Sequence, residues 1–211
     1  MTGVNRSGKT SLTLALLRLL DLRSGIISMD GVDISSLPRH LVRSKITCIP
    51  QDPFFPPSHS LRRNLVGTAT TTKHTDTQIL AALESVGLLA HVAAHLLPQE
   101  GNNNPSTATT TTTTTPTAPT VLTASQIPPD AASTILNATM SLLPLSEGQR
   151  QLFCLARAML QDTKIVVLDE VTSAMDGETE GRVRALLRTG LRGRTVLIVA
   201  HREAVWGMCD V

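Results

Sequence analysis

The runs Ile165–Leu168 and Val196–Ala200 are apolar at every position, and Ile46–Ile49 is nearly so. A strand with one wet face alternates apolar and polar residues. Unbroken apolar runs fit strands buried on both faces, as in parallel sheets. Around them the spacing turns helical. A first helix is predicted from Ser11 to about Leu22, ended by Gly25, and Ile26–Asp30 reads as a strand entering an Asp30-Gly31 turn. Ser35 and Ser36 are read as caps of a short helix through Arg43. Thr75-x-x-Gln78 is a capping box ahead of apolar positions at Ile79, Leu80, Leu83 and Val86. Two further helices are predicted, one from Ser146 and one near Glu178–Leu187. Helices alternating with buried strands predict an α/β fold, a parallel core sheet with helices on both faces. Three zones follow: residues 1–57 as the first part of the core, 58–145 as a helical subdomain, and 146–211 as the rest of the core.

One segment fits none of this. Gly101–Thr120 holds Asn102–Asn104, seven consecutive threonines (Thr109–Thr115) and three prolines. It has almost nothing to bury against its ordering entropy, so a disordered surface insert is expected over about 101–125. The other reading of the same residues is a phosphorylated regulatory linker.

Composition narrows the class. With 211 residues there is room for one α/β core and a subdomain. A net charge of +2 is too small to make nucleic acid or an anionic membrane the main partner. Hydrophobic residues are 41% but aromatics 2%, with no tyrosine, so the core must be aliphatic. Cys48, Cys154 and Cys209 lack C-x-x-C spacing, which suits reduced thiols and a cytosolic setting. No apolar run approaches the roughly 20 residues of a membrane span.

The candidate chemistry begins at Gly3-Val4-Asn5-Arg6-Ser7-Gly8-Lys9-Thr10, a complete G-x-x-x-x-G-K-[ST] phosphate loop. Its glycines let backbone N–H groups turn inward around phosphates, Lys9 adds a cation, and the Thr10 hydroxyl is placed for Mg²⁺. The helix from Ser11 points its positive end at the same anion. Far along the chain, Asp169 and Glu170 end the Ile165–Leu168 strand. The first acid suits a metal held through water, and the second suits polarising an attacking water. Leu145-Ser146-Glu147-Gly148-Gln149 has two readings: a well-capped surface helix, or a helix N-terminus whose Ser146 and Gly148 N–H bind a γ-phosphate. His91 and His95 are spaced like zinc ligands, but Val92 stands where a metalloprotease carries its glutamate, so they read as surface histidines. Arg62-Arg63 reads as a solvated face.

In this order, the phosphate loop, Ser146–Gln149 and Asp169-Glu170 resemble an ABC-type ATPase. Gln51 within Ile49–Pro53 is similar to that family's Q-loop, Ser173–Asp176 to its D-loop, and His201 to its switch histidine. Asp30–Ile34, Ile49–Pro53 and Gly148–Ala158 resemble the second nucleotide-binding domain of multidrug-resistance-associated (C-subfamily) exporters. The resemblance implies a P-loop NTPase fold of ABC type whose cofactors are ATP and Mg²⁺. It implies ATP contacts at Gly3, Asn5, Arg6, Ser7, Gly8, Lys9, Thr10 and Ser11, and at Ser146, Gly148 and Gln149 of the opposing site. Thr10, Gln51 and Asp169 are the implied metal set, and Glu170, His201 and Gln51 the implied catalytic set. Asp176 would couple the two sites. The implied partners are a second such domain, closing head-to-tail, and transmembrane domains, which place the chain on the cytosolic face of a membrane.

Departures from the family pattern carry expectations too. The β region before the phosphate loop, with the aromatic that stacks on adenine, is unmatched. The strand entering the loop is expected beside the strand ending at Asp169, and the chain reads as a piece truncated at both ends that alone binds ATP weakly. Glu147 stands where the signature has its first glycine, so a carboxylate faces the other domain's triphosphate and that site is expected to serve poorly. Two rival readings remain: a soluble ABC ATPase of the translation or DNA-repair kind, or a remnant that at most binds nucleotide. The composition of the insert makes one prediction. Limited proteolysis with a broad-specificity enzyme should cut first between Gln99 and Ser125, and early cuts within Val166–Leu187 would refute it.

Overall fold

A computed structural model describes residues 8–67, 74–97, 122–171, 175 and 177–199. The chain divides into two compact units, one formed by Met1–Phe54 with Leu145–Val211 and the other by Phe55–Pro144.

The first unit opens with helix α1 (Lys9–Leu16), entered through Gly8 at φ 82°. Only glycine adopts that left-handed turn without strain. The helix expected to reach about Leu22 stops at Leu16, closed by local backbone bonds around Arg18 and held there by contacts from far away in sequence. Arg18 turns to φ 51° and its guanidinium donates to the carbonyls of Ile34 (3.0 Å) and Leu37. Arg43 in turn donates to the carbonyls of Leu17 (2.9 Å) and Arg18 (3.2 Å). The helix's own last carbonyls, Thr13, Leu14 and Ala15, accept from the Leu17, Leu19 and Arg18 N–H groups. Arg43 satisfies the next two, Leu17 and Arg18, where another helical turn would have done so.

Strands β1 (Ser28–Met29) and β2 (Val32–Asp33) form a minimal antiparallel hairpin. Both turn residues, Asp30 and Gly31, have positive φ, as a twist-matched two-residue turn requires. The strand expected over Ile26–Asp30 is therefore two residues long. Nor do Ser35 and Ser36 cap a helix through Arg43. Asp33 is the cap: its carboxylate accepts from Ser35 N (2.9 Å) and Ser35 Oγ (2.7 Å) over a single 3₁₀ turn, Ile34–Ser36. Those two bonds hold the Asp33 carboxyl below its ordinary range. Pro38 then separates that turn from α2 (Arg39–Ser44).

The core sheet is parallel in the order β3 (Ile46–Ile49), β4 (Ile165–Asp169), β5 (Thr195–Val199). Ile49 pairs with Leu168, and Asp169 with Val199. Both edges of β4 are thereby taken, so the strand entering the phosphate loop does not lie beside it. That expectation is corrected. Side chains alternate between faces. Val167 clusters with Ile46, Ile34 and Val42, against which Leu16 of α1 and Leu17 just after it pack. On the opposite face Val166, Leu168 and Ile49 are buried as well, and Thr47 reaches Thr163 Oγ1 at 2.6 Å. In β3 and β4 residues are thus buried to both sides, as their apolar runs imply, whereas β5, expected to be buried alike, is only half-buried from Val196 to Ile198. Two long helices belong to this unit, α3 (Glu147–Leu160) and α4 (Gly177–Gly190), the first burying Phe153 and Leu155 completely.

Among the described residues of the second unit the α-helices are Leu61–Val66, Asp76–Ser85, Leu89–Leu96 and Pro129–Asn137. The Thr75–Gln78 capping box is formed in both directions, at 2.9 and 3.3 Å. Ile79, Leu80 and Leu83 are buried as their spacing predicted, alongside Leu61, Leu65, Ile135 and Leu136. Arg62 is no solvated side chain, since it pairs with Asp76 at 2.7 Å and holds that carboxyl below its usual range. The last helix was not anticipated, although Pro128-Pro129 marks its start. Nor does the expected disorder extend to residue 125. Thr123 N donates to Gln126 Oε1 (3.0 Å), and Ala124 N to Glu84 Oε2 (2.8 Å), which pins residues 123–126. Residues 98–121, the bulk of the expected insert, lie outside the described residues. His91 Nε2 meets the Pro144 carbonyl at 3.0 Å and His95 Nδ1 the His91 carbonyl at 2.9 Å, so both rings serve local structure. No single helix among the described residues is long and apolar enough to cross a membrane.

Cys154 supplies a pH test of the first unit. Burial pushes its thiol from 9.0 up to about 11, with Arg157 and Arg150 opposing only in part. The unfolded chain therefore loses this proton first as pH rises, and between pH 9 and about 11 it binds fewer protons than the folded chain. Stability against urea should fall with rising pH across that window, and replacing Cys154 with serine should remove that component of the slope. At pH 8 the folded chain should leave Cys154 unalkylated, while urea exposes it.

Candidate functional site

Four of the proposed phosphate-loop residues are described, Gly8, Lys9, Thr10 and Ser11. Gly8 sits at the N-terminus of α1 and has no side chain to cap it, and no acid stands in the first turn. Lys9 is buried to 8% exposure, whereas Thr10 and Ser11 are exposed. An uncapped helix start beginning with a buried lysine suits an anion. Gly3, Asn5, Arg6 and Ser7 lie outside the described residues.

The sheet brings the next three residues to one end. Gln51 follows β3 by two residues, Asp169 closes β4, and Glu170 comes directly after it. Because β3 and β4 are parallel, with Ile49 opposite Leu168, Gln51 and the two acids emerge from the same C-terminal edge. In open α/β sheets that edge is where ligands bind. Burial, and behind it the Asp169 carboxylate, push the Cys48 thiol above its ordinary range, so the acid's field is felt on the neighbouring strand. Glu170 has φ 52° while its N–H donates to the Val199 carbonyl at 2.9 Å. A glutamate at positive φ is strained, and strain of this kind gathers at functional sites. It breaks the strand direction at the first residue past β4. β5 ends at the same edge. His201, like Asp176, lies outside the described residues.

At the signature, Ser146 caps α3, and the capping box is complete. Ser146 N donates to Gln149 Oε1 at 2.9 Å, and Gln149 N donates to Ser146 Oγ at 3.2 Å. The structural reading of these residues therefore holds. It leaves the N–H groups of Glu147 and Gly148 unused by the cap, at an exposed helix end. Glu147 occupies the first turn, where its charge stabilises its own helix dipole but opposes an incoming anion.

Two contacts were not singled out from the sequence. Gln151, 1% exposed, donates from Nε2 to the carbonyls of Pro50 (3.3 Å) and Gln51, and its Oε1 is buried without a partner among the described residues. Arg150 donates to the Pro53 carbonyl at 2.6 Å. One signal was present: a glutamine among Leu152, Phe153 and Leu155, on the buried side of an amphipathic helix, must find a hydrogen-bond partner.

Among the described residues no group of three or more His, Cys, Asp or Glu side chains could hold a metal. One strand-end carboxylate, Asp169, with the Gln51 amide emerging from the same sheet edge and an exposed Thr10 hydroxyl in the first turn of α1, still fits Mg²⁺. That ion is normally held by one or two carboxylates, water and the phosphates of its nucleotide rather than by a protein cage.

Comparison with known proteins identifies a family and relatives of this chain. The model of a family described as ABC transporter matches residues 1–173. ABC transporter ecdL of Aspergillus rugulosus is 35% identical over 195 residues, 92% of this chain and 10% of the relative. ABC multidrug transporter B of Aspergillus fumigatus is 34% identical over 200 residues, 95% of this chain and 11% of the relative. ATP-binding cassette sub-family C member 2 of Homo sapiens is 34% identical over 208 residues, 96% of this chain and 11% of the relative. The chain thus spans about a tenth of the length of the relatives it matches.

Proposed function

The chain belongs to the ABC transporter family, as an ATP-binding domain of P-loop NTPase fold, and from that premise we propose that it binds and hydrolyses Mg-ATP to drive export across a membrane. Domains of this family are ATPases. The observation that carries the reading for this chain is the shared sheet edge, where Gln51, Asp169 and Glu170 emerge together.

Gly3, Asn5, Arg6, Ser7, Gly8, Lys9, Thr10 and Ser11 cradle the phosphates, with Lys9 as the cation. Thr10, Gln51 and Asp169 hold Mg²⁺, which when bound neutralises charge developing on the phosphates. Glu170 polarises the attacking water, and His201 contacts the γ-phosphate. Ser146, Gly148 and Gln149 close the site of a second ATP-binding domain, and that domain and transmembrane domains are the partners. The chain then works at the cytosolic face of a membrane, as part of a longer protein. Catalysis comes mainly from positioning and charge stabilisation.

Two substitutions test this in a transporter-length protein carrying the domain. Glu170→Gln should keep ATP binding and lower steady-state phosphate release by about 10²-fold or more. Near-normal turnover would remove Glu170 from its role. Glu147→Gly should raise total ATPase activity by relieving repulsion of the second triphosphate. It should also cost the domain about 0.3–1 kcal/mol of unfolding stability through the lost helix-dipole interaction. Unchanged activity and unchanged nucleotide trapping would defeat the signature reading.

A further inference from the structure

Segment Pro50–Pro53 is held by its backbone from a single turn of α3. Arg150 and Gln151 are adjacent, and between them they donate to three of its four carbonyls, those of Pro50, Gln51 and Pro53. The direction of the Gln151 amide is set by these bonds. Turning it over would press Oε1 against two carbonyl oxygens, so Oε1 is left buried and, among the described residues, unpaired instead. A buried side chain that leaves one atom unsatisfied to hold another in place is doing so for the segment it grips. The grip starts one residue after Gln149, which completes the Ser146 capping box. The exposed helix end and the backbone of Gln51 are therefore joined through one short, hydrogen-bonded stretch of α3.

We propose that Gln151, assisted by Arg150, is a positioning residue that aims the Gln51 side chain at Mg²⁺ and ties it to the Ser146 end of α3. The proposal rests on the reading of Gln51 as a metal-facing residue. Substituting Gln151 should weaken the metal's contribution to nucleotide binding while leaving the nucleotide's own contacts intact. Glutamate keeps the shape but replaces the donor with an acceptor; methionine keeps the volume and donates nothing. Groups that orient a metal's ligands typically change metal affinity by about 10–100-fold when removed.

The test uses a transporter-length protein carrying the domain and a fluorescent ATP analogue, titrated with Mg²⁺ and also measured in EDTA. Gln151→Glu and Gln151→Met should raise the Mg²⁺ concentration for half-maximal tightening by about tenfold, with affinity in EDTA unchanged. Amide hydrogen exchange in the peptide spanning Pro50–Pro53 should quicken. Gln51→Ala should show the same Mg²⁺ defect, and combining it with Gln151→Glu should add nothing, because both remove one interaction. Should the Gln151 variants not fold, Arg150→Lys reports on the same grip through Pro53. An unchanged Mg²⁺ requirement with Gln51→Ala defective overturns the proposal alone, and so does an additive double substitution. A normal Mg²⁺ requirement in Gln51→Ala overturns the metal-facing reading itself, and the proposal with it.

Discussion

Strand β4 is apolar from Ile165 to Leu168, and such a strand has one stable use. Its backbone groups need partners along both edges, and its side chains need cover on both faces, because either left to a dry interior costs more than folding can offset. β3 and β5 supply the edges, and Val166, Val167 and Leu168 are all at 1% exposure or less. The first charges the strand can carry come where this confinement ends, at Asp169 and Glu170. Parallel pairing then forces the neighbouring strand to release Gln51 at the same edge. The chemistry is thus gathered by the rule that the middle of the sheet must be paired and dry.

Helix α3 is the second organising element, and its first two turns hold opposed demands. Its N-terminus is capped by Ser146 and Gln149, which leaves two further N–H groups facing outward. Glu147 in that turn favours the helix and disfavours an anion. One turn on, Gln151 gives up a partner for its own Oε1 while holding the backbone of Gln51. Stability of the helix and readiness of the site pull in different directions here. Rules of local structure are usually broken where a site is built.

Arginines shape the first unit beyond their charge. Arg43 donates to the carbonyls of Leu17 and Arg18 just past α1, Arg18 ties that end to the carbonyls of Ile34 and Leu37, and Arg194 donates to Ala158 near the end of α3 at 2.9 Å. A planar group with several donors can satisfy carbonyls that have no helical partner, and so decide where a helix stops. In the second unit the corresponding work falls to Asn64, whose Nδ2 meets the carbonyls of Pro56, His59 and Ser60 at 3.2–3.3 Å.

What was legible from the residues in order is what depends on near neighbours. The capping boxes at Thr75 and Ser146 span three residues, the Asp30-Gly31 turn two, and the buried strands declare themselves by unbroken apolarity. The strand-end acids and the phosphate-loop glycines and lysine are likewise local patterns, so the candidate site could be assembled from sequence, residue by residue. Sequence order says nothing about which strands are adjacent, and that is why the neighbour assigned to β4 had to be corrected. The early stop of α1, the cap supplied by Asp33, the pairing of Arg62 with Asp76 and the helix at Pro129–Asn137 were hidden for the same reason. Each depends on packing or on a partner whose strength propensity does not foretell, often one distant in the chain. Gln151 shows the limit most plainly. Its burial follows from helical periodicity, but the carbonyls it must find, about 100 residues earlier, are chosen only when the sheet and the helix meet.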